Sequence, residues 1–179
     1  MTDDRQNKIE SAAKKFIGNA LWFNENIDMD QASIILSVSR MSGLLIFKSF
    51  NFPENLGKPG QTFFSDKANE VGPALMRQML SVLDTLGNKV EENDLKSEYM
   101  SSDGKVSYLE SFNVFAPPFL IYCEKSSTNF QDAAFGAAVA AGYLVSQFHD
   151  VIPVDQGAAL ATFGFVEGTK TIPYSLENK

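Results

Sequence analysis

The sequence predicts a mostly α fold, an irregular bundle of five to six helices. Three segments carry that reading. Between residues 3 and 23, Ile9, Ala12, Ala13, Phe16, Ile17, Ala20 and Leu21 recur at helical spacing and form one apolar stripe. Between residues 29 and 50 the apolar side chains, Ile34, Ile35, Leu36, Val38, Met41, Leu44, Leu45, Ile46 and Phe47, cover nearly every side of a helix, the pattern of a central element. Between residues 66 and 86, Leu75, Met76, Met79, Leu80, Leu83 and Leu86 return at helical spacing, and Gly87 suits the position just past a helix end.

Local signals place the boundaries. Asp3 and Gln6 offer a capping-box start to the first helix, and Glu10 and Lys14 form an i,i+4 pair in the favourable order. Asn24-Glu25-Asn26 ends it. Asp28, with Gln31 three residues on, can open the second helix. Pro53, Gly57, Pro59 and Gly60 mark residues 51–64 as a long loop, pinned by Phe52, Phe63 and Phe64. Pro73 is expected to kink the third helix or to start its main part.

The next stretch is ambiguous. Val106 and Tyr108 alternate with polar neighbours, which suits a short β-hairpin near residues 97–110. Pro117-Pro118 is expected to break whatever precedes it, leaving Phe119–Lys125 as a short helix or a buried strand. A fifth helix follows from Phe130 to Phe148, capped by Thr128 or Asn129. A sixth runs from Asp155 to Val166, although Thr162, Phe163, Phe165 and Val166 favour β structure. The alternative fold is therefore α+β, with strands around 105–110, 118–124 and 160–173. At 179 residues the chain is expected to form a single globular helical domain over 1–179.

Composition narrows the partners. The net charge of −7 opposes phosphate backbones and anionic headgroups, so neither nucleic acid nor a membrane is expected. The single cysteine, Cys123, excludes an internal disulfide. The start of the sequence is acidic and no apolar leader follows, so the cytoplasm is the expected location. Fifteen Phe and six Met argue for a large core, and both residue types also line adaptable apolar pockets.

Chemistry-bearing motifs are sparse. Asp103-Gly104-Lys105-Val106-Ser107-Tyr108-Leu109-Glu110 resembles the second half of an EF-hand loop, but Tyr99 falls where the first acidic ligand belongs. Calcium is not expected there, and an ordinary turn accounts for the residues. One His, His149, and one Cys cannot build a His/Cys zinc site. A Cys123–His149 nucleophile pair would require the two to meet. Glu91, Glu92, Asp94 and Glu98 read as a solvated acidic stretch. Gly57-Lys58-Pro59-Gly60 lacks the remainder of a phosphate loop. Arg40 sits in the middle of the apolar second segment, where it is expected to point out of the bundle, pair with a local Asp or Glu, or meet an anionic ligand. No catalytic residue, metal set or cofactor is expected.

From Ala133 to Gly142 only Phe135 and Val139 are neither Ala nor Gly. Gly136, Ala140 and Tyr143 share one face of that helix; Ala134, Ala137, Ala138 and Ala141 line another. Such faces suit close approach by neighbours, one of which could be a second subunit. Two functions are compatible with these readings. One is a non-catalytic interaction or assembly module, homo-oligomeric, with Gly136, Ala140 and Tyr143 as the candidate interface. The other is a small-molecule or lipid-binding helical domain with an apolar Phe/Met-lined pocket.

Overall fold

The computed structural model describes residues 3–53 and 56–176; residues 54 and 55 of the expected loop lie outside it. Six helices follow in chain order: α1 (Asp3–Asn26), α2 (Gln31–Ser49), α3 (Asp66–Thr85), α4 (Tyr108–Ser126), α5 (Phe130–Gln147) and α6 (Val154–Lys170). Between α3 and α4 lie two 3-10 turns, Glu92–Asp94 and Ser97–Tyr99, where a hairpin was expected. The β structure among the described residues is one antiparallel bridge, Thr62 to Thr171. The fold is thus an all-α bundle, and the α+β alternative is corrected.

The all-round apolar segment is the axis. Every residue of α2 from Ser33 to Phe47 is buried, and α4, α5 and α6 enclose it, with α1 and α3 outside. α2 is the one described helix long and apolar enough to cross a membrane, and 83% of that window is buried inside the fold. Its cap is Asp30 rather than Asp28: the Asp30 carboxylate accepts from the Ser33 amide at 2.9 Å and the Ser33 hydroxyl at 2.8 Å. Three internal serines satisfy themselves. Ser39 donates to the Ile35 carbonyl, Ser42 to the Ala134 carbonyl of α5, and Ser37 shares a hydrogen bond with Ser111 of α4.

α2 and α6 touch backbone to backbone. A Cβ on Gly43 would lie 2.6 Å from the Phe165 carbonyl oxygen, and one on Gly164 would lie 2.7 Å from Ser39 Cβ. A Cβ on Gly168 would overlap the Arg40 carbonyl. Gly157, Ala161, Gly164 and Gly168 are all buried and step by four, three and four, which is helical spacing. This close approach outweighs the β preference of Thr162, Phe163, Phe165 and Val166, and it carries the helix to Lys170, four residues past the expected end.

The other correction is α4. Ser107 opens it with a reciprocal capping box to Glu110, and the helix continues through Pro117 and Pro118 to Ser126. Each proline removes a backbone donor, a cost near 3 kcal/mol in a helix interior. Burial offsets that cost: Phe112, Phe115, Phe119 and Cys123 form one stripe across the prolines. Phe119 stacks on Phe16 of α1 with centroids 3.8 Å apart, and Phe115 meets Phe23 edge-on at 4.7 Å.

α1 runs on through Asn24-Glu25-Asn26, which was expected to end it, whereas α3 ends where expected. α3 passes through Pro73 and ends in a Schellman motif, with Gly87 at φ +82° and the Asn88 amide bonded to the Leu83 carbonyl. Phe52 and Phe63 pin the long loop against Phe47. Phe64 does not; it is 77% exposed. The loop is stitched to the C-terminal tail by Gly60 N–H to Ile172 O, Ile172 N–H to Gln61 O and Phe63 N–H to Lys170 O.

Candidate functional site

The last turn of α2 leaves the core and opens a cleft. Phe47 is still buried, Lys48 and Ser49 are half-buried, and Asn51 is exposed. Across from them stand Leu120, Cys123 and Glu124 on α4, then Thr128, Asn129, Phe130 and Gln131 at the start of α5; together they enclose about 660 Å³. A second cleft of about 710 Å³ shares Lys48, Asn51, Leu120 and Phe130 and continues along Phe47, Phe52 and Pro53 to the tail segment Ile172–Leu176. Both volumes fall in the range typical of small-molecule sites.

Lys48 sits where the clefts meet. Its Nζ lies 5.9 Å from the centroid of the Phe130 ring, and burial alone pulls its pKa below the ordinary lysine value. No described carboxylate pairs with it; Glu124, the acid in the lining, is exposed on the rim. The Asn129 side chain takes the Asp132 amide, which leaves the first-turn amides of Phe130 and Gln131 at the positive end of α5 without a described protein acceptor. The phenylalanines of these walls are Phe47, Phe52 and Phe130, and Met is absent from them. Met41 and Met79 are in the core, and Met76 lines a separate groove of about 240 Å³ between α3 and α6.

Arg40 is fully committed to the fold. It is buried; Nε donates to Glu167 Oε2 at 2.6 Å, and Nη1 donates to the Val106 carbonyl at 2.6 Å and to Ser111 Oγ at 2.8 Å. It therefore pairs with a carboxylate, one distant in sequence, and does not point out of the bundle. The Tyr108 ring lies 5.8 Å from the guanidinium. Burial, reinforced by Glu167, raises the Tyr108 hydroxyl well above the usual phenol range, and that hydroxyl has no described hydrogen-bond partner.

The Gly136–Ala140 face is occupied from within the chain. A Cβ on Gly136 would lie 2.6 Å from Ala12 Cβ and 2.9 Å from the Ile9 carbonyl oxygen, both on α1, and Ala140 is buried. Tyr143 is half-buried. On another side, Gly142 lies against Met79 and Val82 of α3. α5 is sandwiched as its small residues imply, and α1, α2 and α3 of the same chain are its neighbours.

The remaining candidates do not converge. Cys123 is buried, which pushes its thiol up to about 11. His149 lies past the far end of α5, about 27 Å along an 18-residue helix from the cleft, with Nδ1 on the Ser146 carbonyl and Nε2 3.3 Å from Asp150. Glu110 is engaged by the Ser107 hydroxyl and amide, and Gly104, at φ +69°, forms a turn. Glu91, Glu92, Asp94 and Glu98 are exposed. No group of three or more metal-ligating side chains gathers among the described residues.

The Lys48 cleft could have been found in the sequence only as a cation following an apolar helix. Its other wall comes from residues 120–131, which the sequence does not connect to Lys48. No family model matches this chain, and comparison with curated proteins and with solved structures gives no match either.

Proposed function

We propose that this chain is a helical binding domain that takes a small, largely apolar molecule into the clefts around Lys48. The observation that carries the reading is the junction of two clefts, about 660 and 710 Å³, over shared walls of Leu120 and Phe130. Titration with decanol, followed by amide chemical shifts, tests it. Saturable shifts at Leu120 and Phe130, lost in Leu120→Trp, are expected; shifts scattered over the surface would refute the reading.

Assembly with another protein, or with a second copy, is a second reading. Phe64 and Trp22, 77% and 56% exposed, favour it. It does not draw on Gly136 and Ala140, which α1 covers. Sedimentation of the parent and of Phe64→Ser tests it: a concentration-dependent mass that falls in the variant is expected, and a monomer at all concentrations rules out the second copy.

A further inference from the structure

We propose that the cleft selects a free amphiphile with one anionic head, the head seated on Lys48 Nζ and the apolar body lying along Leu120, Phe130 and Phe52. The inference rests on the reading of the cleft as a ligand site and adds the class of ligand. Three observations lead to it. Lys48 is half-buried and unpaired among the described residues, so a bound anion would complete it. Of the neutral polar side chains in the lining, Ser49, Thr128 and Asn129 are already bonded to Ile46, Ser126 and Asp132, Asn51 is exposed, and the positive end of α5 opens beside them. Beyond that end the shared cleft passes Leu120, Phe130 and Phe52 on its way to the tail segment.

The same inventory sets the size of the charge. Among the described residues Lys48 is the only cation lining either cleft, and Glu124 stands on the rim of one. A head with one negative charge is matched, whereas a polyphosphate would meet Glu124 and the surplus of −7 carried by the whole chain. That surplus also disfavours an anionic bilayer as the source of the head, so the ligand is a free molecule such as a medium-chain carboxylate.

The test compares dodecanoate, dodecanol and dodecyltrimethylammonium, each below its micelle concentration, by calorimetric titration of the parent, Lys48→Met and Lys48→Arg. The parent is expected to bind dodecanoate about tenfold or more tighter than dodecanol, the scale of one charge-assisted hydrogen bond. Lys48→Met abolishes the preference for dodecanoate over dodecanol, and Lys48→Arg restores it. If dodecanol binds the parent as well as dodecanoate does, or the cation binds best, the head assignment falls while the apolar cleft stands. If none of the three binds the parent, both readings fall. Lys48-dependent co-sedimentation with phosphatidylglycerol vesicles, without binding of free dodecanoate, would overturn the free amphiphile as ligand. Matching melting curves for the parent and Lys48→Met tie a lost preference to the head contact rather than to misfolding.

Discussion

Arg40 Nε and Glu167 Oε2 stand 127 positions apart in sequence and 2.6 Å apart in space. Their ion pair fastens α2 to α6, while the other arm of the guanidinium holds Val106 and Ser111 at the start of α4. Three elements therefore meet on one buried charge. Glu167→Ala is expected to cost about 2–3 kcal/mol, below the full value for a broken buried pair because the Glu167 side chain keeps some exposure. Urea unfolding measures it, and a loss under about 0.5 kcal/mol would show the pair to be incidental.

Two glycines should respond oppositely to alanine. Gly18 is exposed in the middle of α1, with nothing within 4 Å of a new Cβ, so Gly18→Ala should stabilise by about 0.5–1 kcal/mol. Gly168→Ala would drive a methyl group into the Arg40 carbonyl and should cost at least about 1–3 kcal/mol. A melting temperature for Gly168→Ala at or above the parent's would contradict the α2–α6 packing, and a lowered one for Gly18→Ala would contradict the open surface at Gly18.

Gly136→Leu should lower the melting temperature and leave the mass in sedimentation unchanged, because the side chain would enter α1 of the same molecule. A change in mass without loss of stability would place that face between subunits instead.

Glu110 supplies a pH dependence of known sign. Hydrogen bonds from the Ser107 hydroxyl and amide hold its carboxyl below the ordinary glutamate value. A carboxyl depressed in the folded state contributes stability above its unfolded pKa and loses that contribution as pH falls through its folded pKa. The stability advantage of the parent over Glu110→Gln should thus be present at neutral pH and close in acid. Side-chain NMR should show Glu110 titrating at higher pH in Ser107→Ala, and calcium below millimolar concentration should leave its resonances in place.

Where one helix face carries its own pattern, the fold was legible. The stripes of α1 and α3, the all-round apolar α2 and the small-residue α5 could each be read locally, and all four formed. Across α4 the reading failed, and in α6 the expected helix formed but ran past its expected end, in each case because a local rule lost to a longer pattern. Pro117-Pro118 masked the stripe of Phe112, Phe115, Phe119 and Cys123 that runs through it. The β-prone residues of α6 masked the steps of Gly157, Ala161, Gly164 and Gly168. The cleft was not legible, since Lys48 acquires its surroundings from residues more than 70 positions away. Arg40 was legible as a buried charge in need of a partner, but not as the partner of Glu167.

The enclosure of α2 has a consequence for synthesis on the ribosome. Its most apolar stretch is complete by Phe47, whereas the helices that sheathe it are α4, α5 and α6, drawn from the second half of the chain. At translation speeds of roughly 5–20 residues per second, the 127 positions from Arg40 to Glu167 correspond to roughly 6–25 s between the two ends of that ion pair. Until α4 and α5 follow, α2 is an uncovered greasy rod on a nascent chain. Of the described helices α6 comes last and shuts the core, so truncated products ending before α6 should be the aggregating species.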